Sequence, residues 1–188
     1  MTIIGLTGSL ASGKTTASKI IANNKGPLFS ADKVVKKLYN QKKFKRILSK
    51  KLDLRNDKNF KKNLKNKILK KKELLRKLEK IIHPLVRKEM FIFLKKNMKK
   101  NFLFLEIPLL IESKLAKYFD VIIFIKSNKN LRLKRFILRG GSPNLFSVLD
   151  NHQIKDSKKM KFCDHIVVNN KSLSVLKKNL SNIIYLYE

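Results

Sequence analysis

Short apolar runs alternate along the chain with longer stretches whose apolar positions recur at helical spacing. Ile3–Thr7, Pro27–Ser30, Phe102–Glu106, Asp120–Ile125 and His165–Val168 read as strands, each followed by a helix-compatible segment. This alternation predicts an α/β fold, a five-stranded parallel sheet with right-handed crossovers and helices on both faces. Runs such as VIIFI, apolar throughout rather than at every second position, suit strands covered on both sides.

The span from Lys33 to Lys100 breaks the rhythm. It carries no strand signal, and Leu64, Ile68, Leu75, Leu78, Ile81 and Ile82 fall at helical intervals. One crossover helix needs far fewer residues, so several helices standing partly off the sheet are expected. Pro84 predicts a helix boundary at His83, because a proline disfavours helical geometry in the residue before it. Gly140-Gly141-Ser142-Pro143-Asn144 is the clearest breaker cluster and predicts a mobile tip between two helices.

With 188 residues the chain is long enough to bury a core without covalent staples. One cysteine, Cys163, excludes an internal disulfide framework. The start MTIIGLTGSL lacks the marks of a secretory signal, and no apolar run approaches the roughly 20 residues of a membrane span, so a cytoplasmic protein with no membrane partner is expected. The formal charge of +32 points at first to a polyanionic partner. Composition removes most of that force. Phe, Tyr, Met, Ile, Asn and Lys, whose codons are A/T-rich, supply 94 of the 188 residues, and Gly, Ala, Arg and Pro only 22. The lysine runs at 42–51 and 61–72 are therefore read as solvated helix faces, and no specific nucleic acid is expected.

The chemistry starts at Gly8-Ser9-Leu10-Ala11-Ser12-Gly13-Lys14-Thr15, which satisfies G-x-x-x-x-G-K-[ST] directly after the first strand and opens a helix. The chain's own composition gives roughly 0.003 such matches by chance. Gly8 and Gly13 let the backbone turn its N–H groups inward on a polyphosphate, and the helix adds its positive end. Lys14 is expected to reach the β and γ oxygens, and the Thr15 hydroxyl a Mg²⁺ ion. A base-reading N-K-x-D is missing: Ser127-Asn128-Lys129-Asn130 lacks the aspartate, which favours a small kinase over a switch GTPase.

Only 13 residues are carboxylates. Asp32 follows the second strand at the sheet edge where open α/β sheets bind ligands, and it suits either a base for an attacking hydroxyl or a cap for the next helix. Glu106 closes the third strand and suits either a Mg²⁺-bound water or a structural ion pair. Arg132, Arg135 and Arg139 fall within about 60° of one another on a helix, just before the Gly-Gly-Ser-Pro tip. In a chain so rich in lysine, clustered arginine suggests a planar fork for phosphate on a closing lid.

Over nearly its whole length the sequence resembles the dephospho-CoA kinases. The resemblance is carried by GLTGSLASGKTT, SAD at Ser30–Asp32, IIHPLVRKEM around His83 and Arg87, and EIPLLIES from Glu106 to Ser113. Arg135 and Arg139 follow, then Gln153, Lys159 and the segment Cys163 to Asn169. It implies a P-loop kinase that moves the γ-phosphate of ATP, with Mg²⁺, to the ribose 3′-hydroxyl of dephospho-CoA. It also implies the roles. Asp32, Lys14 and Arg139 would be catalytic; Gly8 to Thr16 (Ser9, Leu10, Ala11, Ser12, Gly13, Lys14, Thr15 and Thr16), Arg135, Arg139 and Asn169 would hold ATP. Asp32, His83, Arg87, Leu109 and Glu112 would hold the acceptor, and Thr15 and Glu106 the metal. The organisation so implied is a monomer of a single domain, with core 1–32, 101–135 and 162–188, a helical acceptor subdomain 33–100 and a lid 136–161. The sequence departs from the family at Ser30, where an aspartate is usual, and at Gly140, Lys158 and Cys163. Two alternatives stay open on the residues alone: a kinase for another small molecule or nucleotide, and a basic nucleic-acid-binding protein with a vestigial nucleotide site.

Overall fold

The computed structural model describes residues 1–54 and 57–188. Its strands are β1 (Thr2–Gly8), β2 (Leu28–Ser30), β3 (Phe102–Glu106), β4 (Val121–Lys126) and β5 (His165–Val168). They pair in parallel in the order β2-β3-β1-β4-β5. The helices are α1 (Lys14–Ala22), α2 (Ala31–Asn40), α3 (Lys42–Leu52), α4 (Phe60–Lys70) and α5 (Glu73–Lys96), then α6 (Lys129–Leu138), α7 (Pro143–His152), α8 (Asp156–Met160) and α9 (Leu173–Tyr185). Among the described residues, no helix is long and apolar enough to cross a membrane.

The sheet forms because its strands have two apolar sides. Ile4, Leu6, Phe104, Ile123, Ile125 and Val167 share one face with Ala17 and Ile21 of α1 and Leu176, Leu180 and Ile184 of α9. Leu103, Leu105, Ile122 and Phe124, of the opposite parity, are equally buried. Sheet faces covered on both sides are what the unbroken apolar runs require. Helix starts follow local chemistry: the Ser142 and Ser172 hydroxyls accept from Leu145 N and Val175 N, capping α7 and α9, and Pro143 takes the first helical position of α7.

The chain gathers into two compact units, Met1–Ala31 with Phe93–Glu188, and Asp32–Ile92. The first holds the sheet. The second is helical, with Phe44, Leu48 and Leu52 of α3, Phe60, Leu64 and Ile68 of α4, and Leu74, Leu75, Ile82, Val86 and Met90 of α5 buried. The Tyr39 ring meets Phe44 edge-on at 5.6 Å and lies 6.5 Å from Phe60, and burial pushes its hydroxyl up to about 12.

One expectation fails here. α5 runs unbroken from Glu73 to Lys96 with Pro84 inside it, so His83 is not at a helix end. The proline removes one helical hydrogen bond, but Ile82 before it and Val86 after it belong to one buried stripe. Burial along that stripe outweighs the local preference. Pro84→Ala restores the missing donor, and we expect it to raise unfolding stability by about 1–3 kcal/mol, read as a higher urea midpoint at unchanged slope. A lower midpoint would mean that the pyrrolidine ring, not the helical hydrogen bond, decides stability at this position.

Candidate active site

Between β1 and α1 the backbone makes a turn that only its own residues permit. Gly8 has φ +147°, and a Cβ there would lie 2.3 Å from the Ile125 carbonyl oxygen of β4. Gly13 has φ +98°, and a Cβ there would fall 2.2 Å from Asn169 Nδ2. Gly13 is also the residue before α1, and it offers no capping side chain; nor is there an acid in the first turn of that helix. The Thr16 and Ala17 N–H groups donate to the Gly13 carbonyl at 3.1 and 3.0 Å. Those of Lys14 and Thr15 lie in the first turn, before any acceptor within the helix, and the positive helix end there suits an anion. The Ser12 hydroxyl is buried in the same turn without a hydrogen-bond partner among the described residues.

The turn is pinned from outside by residues far away in sequence. Asn169 Nδ2 donates to the Ser12 carbonyl at 2.9 Å, and Arg135 Nη1 donates to the same oxygen at 3.3 Å. Arg135 Nη2 donates to the Asn169 carbonyl at 3.1 Å. The Ser9 hydroxyl donates to Asp156, and Arg132 Nη1 to the Leu10 carbonyl at 3.3 Å. The Lys14 ammonium lies back on the loop itself, donating to the Ser9 carbonyl at 2.7 Å and that of Gly8 at 3.1 Å.

Glu106 is the electrostatic centre beneath the loop. Register places it beside Ser30 of β2 and Leu6 of β1, on the face covered by α1. It is 1% exposed. The Thr15 hydroxyl donates to Oε1 at 2.5 Å, and those of Ser30 and Ser18 to Oε2 at 3.0 and 3.4 Å. Three neutral hydroxyls are what makes a carboxylate tolerable there, and among the described residues no ion pair of the kind weighed from the sequence holds it. Ser30, the departure from the family's aspartate, thus supplies a donor where a second acid would supply another charge. The oxygen donors Thr15 and Glu106 suit a hard ion such as Mg²⁺.

The three arginines have separate fates. Arg132 is buried, paired with Asp150 of α7, donating from Nε to the Ser127 carbonyl at 3.2 Å and sitting 5.5 Å over the Phe146 ring. It fastens α6 to α7 and is not part of a phosphate-facing row. Arg135 is half-buried against the loop. Burial, then the charge of nearby Arg139, lowers its pKa. Arg139 is exposed and stands just past the end of α6. Thr16 is exposed in the first turn of α1.

Asp32 lies within the first turn of α2, which begins at Ala31, and so is not the cap that precedes the helix. His83 and Arg87 line one groove of about 340 Å³ on α5, with Pro84, Lys88 and Phe91. Leu109 and Glu112 sit on the segment after β3, in the other compact unit. Glu112 Oε1 accepts from Lys159 Nζ at 2.6 Å and from Ile154 N at 3.3 Å. The Cys163 thiol donates to the Lys159 carbonyl at 3.3 Å, and burial, aided by Asp164, pushes its pKa up to about 11. Gly140 has φ +81° with open space about it, and Lys158 is exposed.

Sequence reading missed Ser18, Asp150 and Asp156. The scarcity of acids was the signal available for the two aspartates, each of which meets the loop or its supporting arginine.

A parallel sheet in this order, with a glycine-bounded nest and a Lys-Thr pair opening the next helix, defines a P-loop kinase. The dephospho-CoA kinase family model matches residues 2–174, and the chain belongs to that family. The dephospho-CoA kinase of Zymomonas mobilis is 34% identical over 190 residues, covering 97% of this chain and 95% of that one. The solved dephospho-CoA kinase from Campylobacter jejuni superposes with TM-score 0.64 at 28% identity, covering 97% and 95% of the two chains. The Thermus thermophilus protein TT1252 superposes with TM-score 0.77 at 23% identity over 98% and 97%, a likeness of fold. The activity is ATP-dependent phosphorylation of dephospho-CoA.

Gly13→Ala sets strain against this geometry. We expect a loss of about 1–3 kcal/mol in urea unfolding, with weaker ATP binding by titration. Measured in an Asn169→Ala background, which already lacks the hydrogen bond to Ser12, the cost of Gly13→Ala should shrink by the part due to the 2.2 Å contact and keep the part due to the positive φ.

Proposed function

We propose that the loop from Gly8 to Thr16, with Arg135, Arg139 and Asn169, holds ATP for transfer of its γ-phosphate to the ribose 3′-hydroxyl of dephospho-CoA. In this reading the hydroxyl oxygen bonds to the γ-phosphorus, the bond to the β–γ bridging oxygen breaks, the hydroxyl proton passes to Asp32, and ADP leaves. Lys14 leaves its loop carbonyls for the β and γ oxygens. Arg139 meets the charge on the transferring group. His83, Arg87, Leu109 and Glu112 bind the acceptor, and residues 136–161 act as the lid. Thr15 and Glu106 would hold Mg²⁺, which supplies charge neutralisation on the phosphates. We read the working protein as a cytoplasmic monomer whose partners are ATP and dephospho-CoA.

The observation that carries the nucleotide half is the uncapped α1 terminus above a Thr15 hydroxyl held by buried Glu106. The acceptor half rests on the groove that contains both His83 and Arg87. The lysine runs 42–51 and 61–72 stand mostly exposed on helices whose other faces build a core, as solvated helix faces do.

A coupled ADP-release assay offering dephospho-CoA beside nucleoside monophosphates tests the assignment. We expect turnover with dephospho-CoA alone, its loss in Lys14→Ala, and a fall of about 10²–10⁴ in kcat for Asp32→Asn with the KM for ATP little changed. Equal rates with every acceptor would overturn the specificity. Salt-steep nucleic-acid binding that survives Lys14→Ala, without turnover, would favour the other class.

A further inference from the structure

Of the chain's 38 lysines, two are buried among the described residues. One is Lys14. The other is Lys159, at 0% exposure more deeply buried than the P-loop lysine itself. In a composition that scatters lysine over every exposed surface, a dry ammonium is the exception that needs a cause. A buried ion pair is weak evidence for stability, since an apolar pair of similar volume serves a core as well.

The surroundings of Lys159 point to what it does. Its Nζ contacts Glu112 Oε1 at 2.6 Å and donates to Gln153 Oε1 at 3.3 Å. The same Glu112 oxygen accepts from Ile154 N at 3.3 Å. Both donors therefore converge on one carboxylate oxygen. The other, Glu112 Oε2, is buried and has no partner among the described residues. A carboxylate can accept about four hydrogen bonds, and an ionised oxygen out of water without one is costly. The arrangement directs one oxygen into the protein and holds the second in reserve.

We propose that Lys159 is a positioning residue for acceptor binding, acting through Glu112: it takes up Oε1 and leaves Oε2, covered in this structure, as the oxygen that a hydrogen-bond donor of dephospho-CoA meets when the acceptor enters. The inference rests on the reading above that Glu112 belongs to the acceptor site. The donor is an N–H or O–H group of the acceptor's nucleoside or of its pantetheine arm, since the phosphates carry none to give at neutral pH. The Gln153 carbonyl oxygen takes a second ammonium proton and fixes the lysine's direction. Through Gln153 and Ile154, which join α7 to α8, the same pair ties this stretch to the segment after β3.

The test is steady-state kinetics on the full chain, with KM for dephospho-CoA and for ATP measured separately. Lys159→Met removes the charge and keeps the volume; Lys159→Arg keeps the charge; Glu112→Gln keeps the shape of the carboxylate. We expect Lys159→Met to raise KM for dephospho-CoA tenfold or more while KM for ATP stays within twofold. Glu112→Gln should do the same, the double variant should be no worse than the weaker single, and Lys159→Arg should recover most of the loss. Should Lys159→Met fail to fold, the double variant, in which no unpaired charge is left behind, carries the test by the same two KM values. Equal rises in both KM values, or a lower melting temperature with unchanged kinetics, would reduce Lys159 to a structural fastener and overturn the proposal. A Glu112→Gln variant with unchanged KM for dephospho-CoA would overturn the placing of Glu112 in the acceptor site as well. A raised KM in Glu112→Gln with none in Lys159→Met would overturn the positioning role alone.

Discussion

A carboxylate that water cannot reach governs the architecture of the nucleotide side. Glu106 ends the strand next to the centre of the sheet, and its burial obliges neighbouring elements to bring it donors. β2 brings Ser30, and α1 brings Thr15 and Ser18. Because two of the three come from one helix, one turn apart, that helix is fixed in both rotation and height over the sheet. The height sets where the loop before it must pass. The glycines at either end then follow from space: at one the backbone of β4 is too close for a Cβ, and at the other the Asn169 amide is.

Most of the fold was legible because the sheet announces itself. VIIFI and FLFL are apolar on both sides, and few environments other than a covered strand accept such runs. The loop was legible for a related reason: its spacing is local, so nothing distant is needed to recognise it. Pro84 was misread for the opposite reason. Its preference is local, but the stripe from Leu74 to Met90 that overrides it is a tertiary fact. Arg132 shows the same limit. Its position in a row with Arg135 and Arg139 can be counted, whereas its partner Asp150 lies on another helix.

Lysine illustrates how far composition can hide function. In the string of letters Lys159 is one among 38, flanked by Lys158 and Lys161. Only packing separates it from them, since its neighbour Lys158 is exposed on the same short helix. The net charge, the most conspicuous number the chain offers, is the least informative about chemistry. The ionic groups turned inward say more about how the protein is built: Glu106, Arg132, Lys14, Lys159 and, partly, Glu112.

On the role proposed for Lys14, the resting place of its ammonium has a bearing on turnover. With the Ser9 and Gly8 carbonyls as substitutes, the cation is never left stranded between cycles. Capture of the donor is then an exchange of one set of oxygens for another, and its net gain is smaller than the raw attraction between ammonium and phosphate. Departure benefits equally. As the spent diphosphate backs out, the side chain has somewhere to go, so the grip that steadies the reacting group does not become a trap for what remains of it.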